Sequence, residues 1–486
     1  MKVVLVNPGY HYDSPYLQIT EPLGVLYLAA YVRRYSTHDI SVVDCLDNHQ
    51  IIKIGPKKYW YGLTHEQMLG RIGSEIPDVI GVSCLFSKKK EDFFEASRSI
   101  RKRFPKSILV AGGTYPSLSF EEVIHSNIFQ YCMIGEAEDT FTQLLNTLEN
   151  KGSNDSLNGV AFLREDGALA HNPKTKFIND LDLIPTPARD MINYESYLTR
   201  KSVLHGMGLK RVASILTSRS CPNRCNFCSM YEIHGPRWRA RNPEAVVDEI
   251  AELNKRYSVQ EFFIMDDNFT FKKKRVMEFC EALKKRKIKI RWNTPNGISV
   301  TTLDKEVLVA MKEAGCVSIC IAIETGDEEL RNKVIGKRLS NAKIEEVTQI
   351  AHDIGLFTSA FYIIGMPGET MERFERTLQQ IKKIPLNGVA AAFANPLPGT
   401  ELYEDCAKND WTILQSDETQ DNVFYRPYIV TKDFSEKELL RREKEFYRTF
   451  IKARLFTIIK DAILMRNGLL YPPFLMRIIK DRLLRS

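Results

Sequence analysis

The sequence predicts an α/β protein: an N-terminal doubly wound parallel sheet, then a partial (β/α)6 TIM-like barrel, then a helical tail. Three observations carry this. Strand-like and helix-like runs alternate through about the first 150 residues. After an irregular stretch the alternation resumes from about residue 211 and continues for six units. From about residue 431 the pattern is helical and basic. At 486 residues the chain exceeds what one ordinary core organises, so several domains are expected. Their boundaries fall at 1–150, 151–205, 206–430 and 431–486.

In the first domain the strand-like runs are Lys2–Asn7, Ile40–Asp44, Asp78–Ser83, Ser107–Ala111 and Tyr131–Ile134. Helix-like stretches lie between them at Leu23–Tyr35, His65–Ile72, Glu91–Phe104 and Phe120–His125, and Thr140–Glu149 supplies a further one. Five strands alternating with helices make a Rossmann-like sheet, and such sheets bind ligands beyond the carboxyl ends of their strands. Those ends are Asn7-Pro8-Gly9, Ser83-Cys84, Gly112-Gly113-Thr114 and Gly135-Glu136. Glycine lets a backbone approach a ligand closely, and it equally serves a plain βα turn.

Residues 151–205 read as an irregular connector, with turn signals at Asn172-Pro173 and Pro185-Thr186-Pro187. In the barrel the strand candidates are Val212–Thr217, Glu261–Met265, Ile288–Trp292, Ser318–Ile323, Thr358–Ile364 and Gly388–Ala394. Helix candidates are Pro243–Tyr257, Lys273–Lys285, Lys305–Ala314, Asn341–Asp353 and Met371–Lys383. Loops at the carboxyl ends of parallel barrel strands form the catalytic face.

Composition sets the broad class. Hydrophobic residues make up 44% and charged residues 27%, as in soluble globular proteins. The apolar run at Met1 ends at Asn7-Pro8, too short for a signal peptide, and no run approaches a membrane span. A cytoplasmic chain is expected, so its ten cysteines read as reduced thiols or metal ligands. Cys84, Cys132, Cys316 and Cys320 lie in apolar, strand-like runs and read as core thiols. The net charge is +7, and Lys432–Ser486 carries the whole surplus, with 14 basic and 7 acidic residues. In this tail Leu439, Phe446, Phe450, Leu455, Ile459 and Ile463 recur near helical spacing. Two readings stand for it: a helix packed on the barrel, or peripheral contact with a membrane or a lipid-like substrate. No compact Lys/Arg cluster is present, so no nucleic acid is expected.

The chemistry concentrates at Cys221, Cys225 and Cys228, directly after the first barrel strand. Three thiolates with no fourth cysteine nearby can hold a [4Fe–4S] cluster by three irons and leave one iron open. A structural zinc site would want four closed ligands, and His234 lies in an irregular segment. Further polar motifs end later strands: Met265-Asp-Asp-Asn-Phe-Thr270, Ile323-Glu-Thr-Gly-Asp327, Tyr362-Ile-Ile-Gly-Met-Pro-Gly-Glu-Thr370 and Asn395-Pro-Leu-Pro-Gly-Thr400.

In these motifs and their order, up to about residue 430, the chain resembles the radical SAM superfamily, in the branch with an N-terminal cobalamin (B12)-binding domain. The resemblance implies that Cys221, Cys225 and Cys228 hold the cluster, and that its open iron binds S-adenosylmethionine (SAM). It places Phe227 near the adenine, Asp266 and Asp267 at the SAM amino group, and Glu324 at the ribose. It sets the edge Ile363, Ile364 and Gly365 against the adenine. It implies that Ser83, Gly112, Gly113, Thr114, Gly135 and Glu136 bind cobalamin. The Asp-x-His-x-x-Gly motif that supplies a cobalt ligand in other B12 proteins is absent, and His38 and His49 read as surface residues. Ala137 stands where a glycine is common.

Such enzymes cleave SAM to a 5′-deoxyadenosyl radical that takes a hydrogen atom from an unactivated carbon. In one subgroup methylcobalamin then delivers a methyl group. The resemblance therefore implies a C-methyltransferase acting on a hydrophobic small molecule or lipid-like substrate, supplied with electrons by a flavodoxin- or ferredoxin-like donor. Two other readings stay open: a cyclase, oxidase or rearrangement enzyme with the same cofactors, and a non-catalytic cobalamin or redox sensor.

Overall fold

The computed structural model describes residues 1–13, 19–48, 50–198, 211–409, 411–413 and 427–463. They divide into two compact units. One contains Met1–Leu198 together with Ser229–Arg239, and the other contains the remaining described residues.

The first unit is built on a seven-stranded sheet. Its parallel part runs Tyr131–Met133, Ile108–Gly112, Val79–Ser83, Lys2–Asn7 and Asp39–Asp44 in spatial order. Both faces are apolar because helices cover both. Val4, Val6, Ile80, Val82, Leu109 and Ala111 pack on Met68, Phe93, Ile100 and Val123. Their alternates Val3, Leu5, Val79 and Val110 pack on Ala29, Ala30, Phe141 and Leu144. The five expected strands are the five observed, and helices stand at each expected place.

Two features depart from the sequence reading. The supposed connector supplies two more strands, Val160–Leu163 and Leu169–Asn172, which extend the sheet antiparallel beyond Tyr131–Met133. Four-residue strands flanked by turn residues carry too little periodicity to stand out. A small antiparallel sheet of Tyr10–Tyr12, Ile51–Gly55 and Lys58–Tyr61 also rises beyond the first strand. His38 is buried, not exposed: one ring nitrogen meets Asn146 Oδ1 at 3.0 Å and the other the Met1 amine at 3.3 Å. His49 lies outside the described residues.

The second unit carries six parallel strands in sequential order: Val212–Ile215, Glu261–Ile264, Arg291–Ile298, Cys316–Glu324, Phe357–Ile364 and Gly388–Phe393. Four of the intervening helices start where side chains cap them: Asn242, Asp304, Ser340 and Thr370 each accept from a backbone N–H of the first turn. The third strand starts later and runs further than the expected Ile288–Trp292. Its register slips between Thr294 and Ile298, and this irregularity accommodates Pro295, which cannot donate to a ladder. Cys84, Cys132, Cys316 and Cys320 are buried core thiols, and burial pushes Cys84 and Cys320 up to about 12.

The tail begins as the helix Glu436–Ile463, which packs on the helix Met371–Lys383 and the fifth strand. Leu439, Phe446 and Phe450 are buried there, so the apolar stripe of this half faces the barrel. Phe446 meets the Tyr362 ring edge-on at 5.1 Å, and the Ala391 N–H donates to Tyr447 Oη at 2.9 Å. Leu455 is exposed. The side chains of Ile459 and Ile463, and the whole of 464–486, lie outside the described residues. No described helix is long and apolar enough to cross a membrane.

Candidate active site

The cysteine loop leaves the first barrel strand and is shaped by the loop that ends the second. Thr217 and Ser218 anchor its start on Asp266. Asp266 Oδ1 accepts from the Thr217 N–H at 2.6 Å, and Oδ2 accepts from the Thr217 and Ser218 hydroxyls, each at 2.6 Å. Asp267 Oδ2 accepts from the Ser220 N–H at 2.9 Å, fixing the residue before Cys221. Ser220 has φ of +73°, a left-handed conformation that a non-glycine residue holds only under such restraint. Asp266 is buried, and both its oxygens are used in building the loop. Three hydroxyl and amide donors thus already meet the carboxylate that the resemblance sets at a ligand's amino group.

The next residue, Asn268, escaped the sequence reading. Its Nδ2 lies 3.5 Å from Cys221 Sγ, an N–H···S contact on the first cysteine. It lies inside the Met265–Thr270 motif, directly after the acidic pair, but only the folded loop aims its amide at sulfur.

Cys225 and Phe227 pack against a cluster of Leu330, Ile335, Ile363, Met366, Ala394 and Leu402. The structure thus brings together three expected site residues, Cys225, Phe227 and Ile363, from loops about 140 residues apart. Backbone bonds complete the frame, from the Asn226 N–H to the Ile335 carbonyl at 3.1 Å and from the Leu402 N–H to the Asn226 carbonyl at 2.9 Å.

Glu324 ends the fourth strand with φ of +69°. Its Oε1 meets Lys337 Nζ at 2.5 Å, and both side chains are buried. Burial disfavours the Lys337 ammonium, but Glu324 and the sulfurs of Cys225 and Cys221 outweigh it and hold its pKa above the ordinary lysine range. The converse acts on Cys225: burial pushes its thiol up to about 12, and the Lys337 charge opposes that rise. Lys337, also missed from sequence, is therefore a buried cation beside the cysteines. Arg331 holds the Glu324 loop in its strained form by donating to the carbonyls of Ile323 at 3.0 Å and Leu339 at 2.9 Å, and also to that of Thr325.

Ile363 and Ile364 are nearly buried at the end of the fifth strand. Gly365 follows with φ of +82°, and a Cβ there would sit 2.9 Å from Leu439 of the tail helix. Its N–H donates to Glu369 Oε2 at 2.8 Å, and Arg442 donates to the Glu369 carbonyl at 3.0 Å. Burial raises the Glu369 carboxyl to about 7.

Among the described residues no three His, Cys, Asp or Glu side chains close around a single metal ion. His234 Nδ1 lies 3.0 Å from Glu136 Oε1. Three soft donors, a buried cation and an amide aimed at sulfur fit an anionic iron–sulfur cluster.

In the first unit the expected ligand residues line the carboxyl rim of the sheet. Ser83 pairs with Gly112 across adjacent strands. At Gly113 (φ +107°) a Cβ would collide with the Cys84 carbonyl, so this glycine is demanded by the neighbouring loop. A Cβ at Gly112 would meet nothing nearer than Met133 Cβ at 4.0 Å, which leaves an open cradle. Ser117 Oγ donates to the Gly113 carbonyl at 2.7 Å and accepts from the Gly135 N–H at 2.9 Å, tying the two loops together. Beyond Ser83, Leu85 and Phe86 are exposed. Glu136 is buried against Arg239 and His234, a committed partner and not a free rim group. The half-buried rim with an open cradle and exposed apolar side chains fits a large, partly apolar ligand such as cobalamin.

Comparisons with known proteins agree with this arrangement. The model of the radical SAM superfamily matches residues 215–381, and that of the B12 binding domain matches residues 15–145. Cytidylyl-2-hydroxyethylphosphonate methyltransferase of Streptomyces wedmorensis is 26% identical over 88% of this chain and 85% of its own. Anaerobic magnesium-protoporphyrin IX monomethyl ester cyclase of Rubrivivax gelatinosus is 25% identical over 94% of this chain and 78% of its own. The radical S-adenosylmethionine methyltransferase TsrM of Kitasatospora setae, solved with tryptophan and a SAM analogue, shares the fold with a TM-score of 0.68. Its identity is 17%, over 88% of this chain and 80% of that one. The three-cysteine loop on a parallel barrel, the preceding sheet domain and both family matches lead to one assignment: the chain belongs to the radical SAM superfamily, in the branch with an N-terminal B12-binding domain.

Proposed function

We propose that this chain is a cobalamin-dependent radical SAM C-methyltransferase. The carrying observation is the pairing of a cluster-type cysteine loop on the barrel with a B12-binding domain in one chain. The curated relative from Streptomyces wedmorensis, a methyltransferase matching most of both chains, supports the reading. When bound, the cluster with SAM supplies a 5′-deoxyadenosyl radical, and cobalamin supplies a methyl group.

The chain's own residues position these reagents. Cys221, Cys225 and Cys228 hold the cluster by three thiolates. Lys337 offsets the charge of those thiolates, and Asn268 donates to Cys221. Asp266 shapes the loop, while Asp267 and Glu324 are the carboxylates assigned to SAM, at its amino group and ribose. Phe227 and Ile363 give the adenine an apolar wall, continued by Ile364 and Gly365. On the sheet rim Ser83, Gly112, Gly113, Thr114 and Gly135 contact cobalamin through hydroxyl and backbone groups. The substrate is a small molecule of hydrophobic or lipid-like character. The electron donor is an external flavodoxin- or ferredoxin-like protein.

A second reading, ring closure with the same cofactors, is favoured by the similarity to the Rubrivivax gelatinosus cyclase over 94% of this chain. One assay separates them. Anaerobically reconstituted protein is given SAM, cobalamin, a reductant and candidate substrates, and its nucleosides are quantified. Methyl transfer yields 5′-deoxyadenosine and S-adenosylhomocysteine together, with label from [methyl-13C]SAM in the product. 5′-Deoxyadenosine alone, with an unlabelled product, overturns methyl transfer in favour of the cyclase reading.

A further inference from the structure

The peptide after the third cysteine changes allegiance. Cys228 belongs to the barrel unit, and the next eleven residues, Ser229–Arg239, fold as part of the sheet domain. They form a strap: a short helix, Met230–His234, a turn at Gly235, and an extended end at Arg239.

The strap is held by a buried ionic network. Arg239 reaches Glu136 with two parallel bonds, Nη1 to Oε2 at 2.9 Å and Nη2 to Oε1 at 2.5 Å. The same guanidinium donates to the carbonyls of Ile178 at 2.8 Å and His234 at 2.7 Å, and lies 5.2 Å from the Phe177 ring centroid. His234 Nδ1 adds a contact to Glu136 Oε1 at 3.0 Å. A bidentate pair out of water is geometrically exacting, and removing one partner leaves the other charge buried alone. Backbone packing closes the fit. A Cβ at Gly135 would stand 2.8 Å from the Ile233 carbonyl, and one at Gly235 would stand 2.5 Å from the Phe177 ring.

Gly135 and Glu136 follow the strand Tyr131–Met133 on the carboxyl rim, tied through Ser117 to the Gly113 loop. One short loop therefore faces both ways: toward the rim assigned to cobalamin, and toward the strap that begins one residue after a cluster ligand.

We propose that Glu136 is a positioning residue through which cobalamin binding on the rim and cluster retention at Cys228 are thermodynamically linked. The inference rests on the cofactor assignment above. A ligand that orders the rim loops orders Glu136, and Glu136 orders the strap and the backbone leaving Cys228. The linkage is reciprocal: whatever factor cobalamin contributes to holding the cluster, the cluster contributes to holding cobalamin.

The test uses the full chain with its cluster reconstituted. A ferrous chelator is added, and loss of cluster absorbance is timed with and without hydroxocobalamin, whose own binding is titrated in parallel. In the wild type, cobalamin slows cluster loss by about fivefold or more, the scale of ordinary coupling. Cluster-loaded protein binds cobalamin tighter than apo protein by the same factor. In E136Q both cofactors still bind, but the protection falls to less than twofold. R239K, which keeps the charge but loses the fork, retains an intermediate protection, a graded rescue that a general loss of fold does not give. Should E136Q fail to fold, H234Q removes a single contact and shows a partial loss instead. Equal protection in E136Q and wild type, or wild-type cluster loss indifferent to bound cobalamin, overturns the proposal. If wild-type protein binds no cobalamin, the cofactor assignment falls and the linkage with it, an outcome the parallel titration separates from the others.

Discussion

On the barrel rim the loops are held by charged side chains: Asp266 under the start of the cysteine loop, Arg331 behind Glu324, and Glu369 with Arg442 behind Gly365. On the rim of the sheet domain the Gly112–Thr114 loop is held by backbone contact and one hydroxyl: Gly113 against the Cys84 carbonyl, and Gly113 to Gly135 through a single serine. The two constructions fail differently. A buried carboxylate that shapes a loop leaves several orphaned donors when it is removed, whereas a glycine at a close approach fails when any side chain is added.

Removing Asp266 should have the largest effect. D266A strands the Thr217 amide and two hydroxyls in the interior and costs about 3 kcal/mol of unfolding free energy. Denaturant melts of the apo protein read the loss, and iron per chain after reconstitution falls with it. Unchanged stability would mean that this rim is not held by its side chains.

The matching change on the other rim is G113A, expected to cost about 2 kcal/mol from the left-handed backbone and the Cys84 carbonyl. G112A sharpens the comparison. Its Cβ meets only Met133 at 4.0 Å, so stability should stay within about 0.5 kcal/mol of wild type. If Gly112 is a cradle, cobalamin titration of G112A shows weakened binding at unchanged stability. Wild-type affinity in G112A would remove the cradle from the binding surface.

A pH dependence tests a single buried charge on the sheet rim. Burial, with the nearby Lys88 charge, lowers the Lys89 ammonium to about 7, and its Nζ lies 3.2 Å from the Tyr10 ring centroid. The unfolded chain then holds this proton more tightly than the folded one between about pH 7 and 10.5. The stability contributed by this group therefore rises with pH across that window and is lowest below it. K89M should be more stable than wild type near pH 6, with the difference closing toward pH 10 in thermal melts. A difference independent of pH would show that Lys89 keeps its proton in the fold.

Much of this was legible from residue order. The five parallel strands of the sheet domain and five of the six in the barrel stand where apolar runs placed them, because a strand buried on both faces needs a continuous apolar stretch. The third barrel strand ran past its expected end because Asn293-Thr-Pro-Asn-Gly297 has the composition of a turn, and only pairing with neighbours keeps it extended. The extra strands at Val160–Leu163 and Leu169–Asn172 were hidden by their shortness.

The sequence by itself determined the chemistry of the cysteine loop and its place after a strand, since ligand type and spacing are local properties. It also determined the alternation that makes two parallel-sheet units. Only the tertiary structure decided what each carboxylate does. Asp266 and Thr217 are 49 positions apart, and Glu136 and Arg239 are 103 apart. Whether a carboxylate waits for a ligand or is already satisfied depends on which donors the fold buries beside it. The cost of burying a charge unpaired makes that choice, and no local pattern records it.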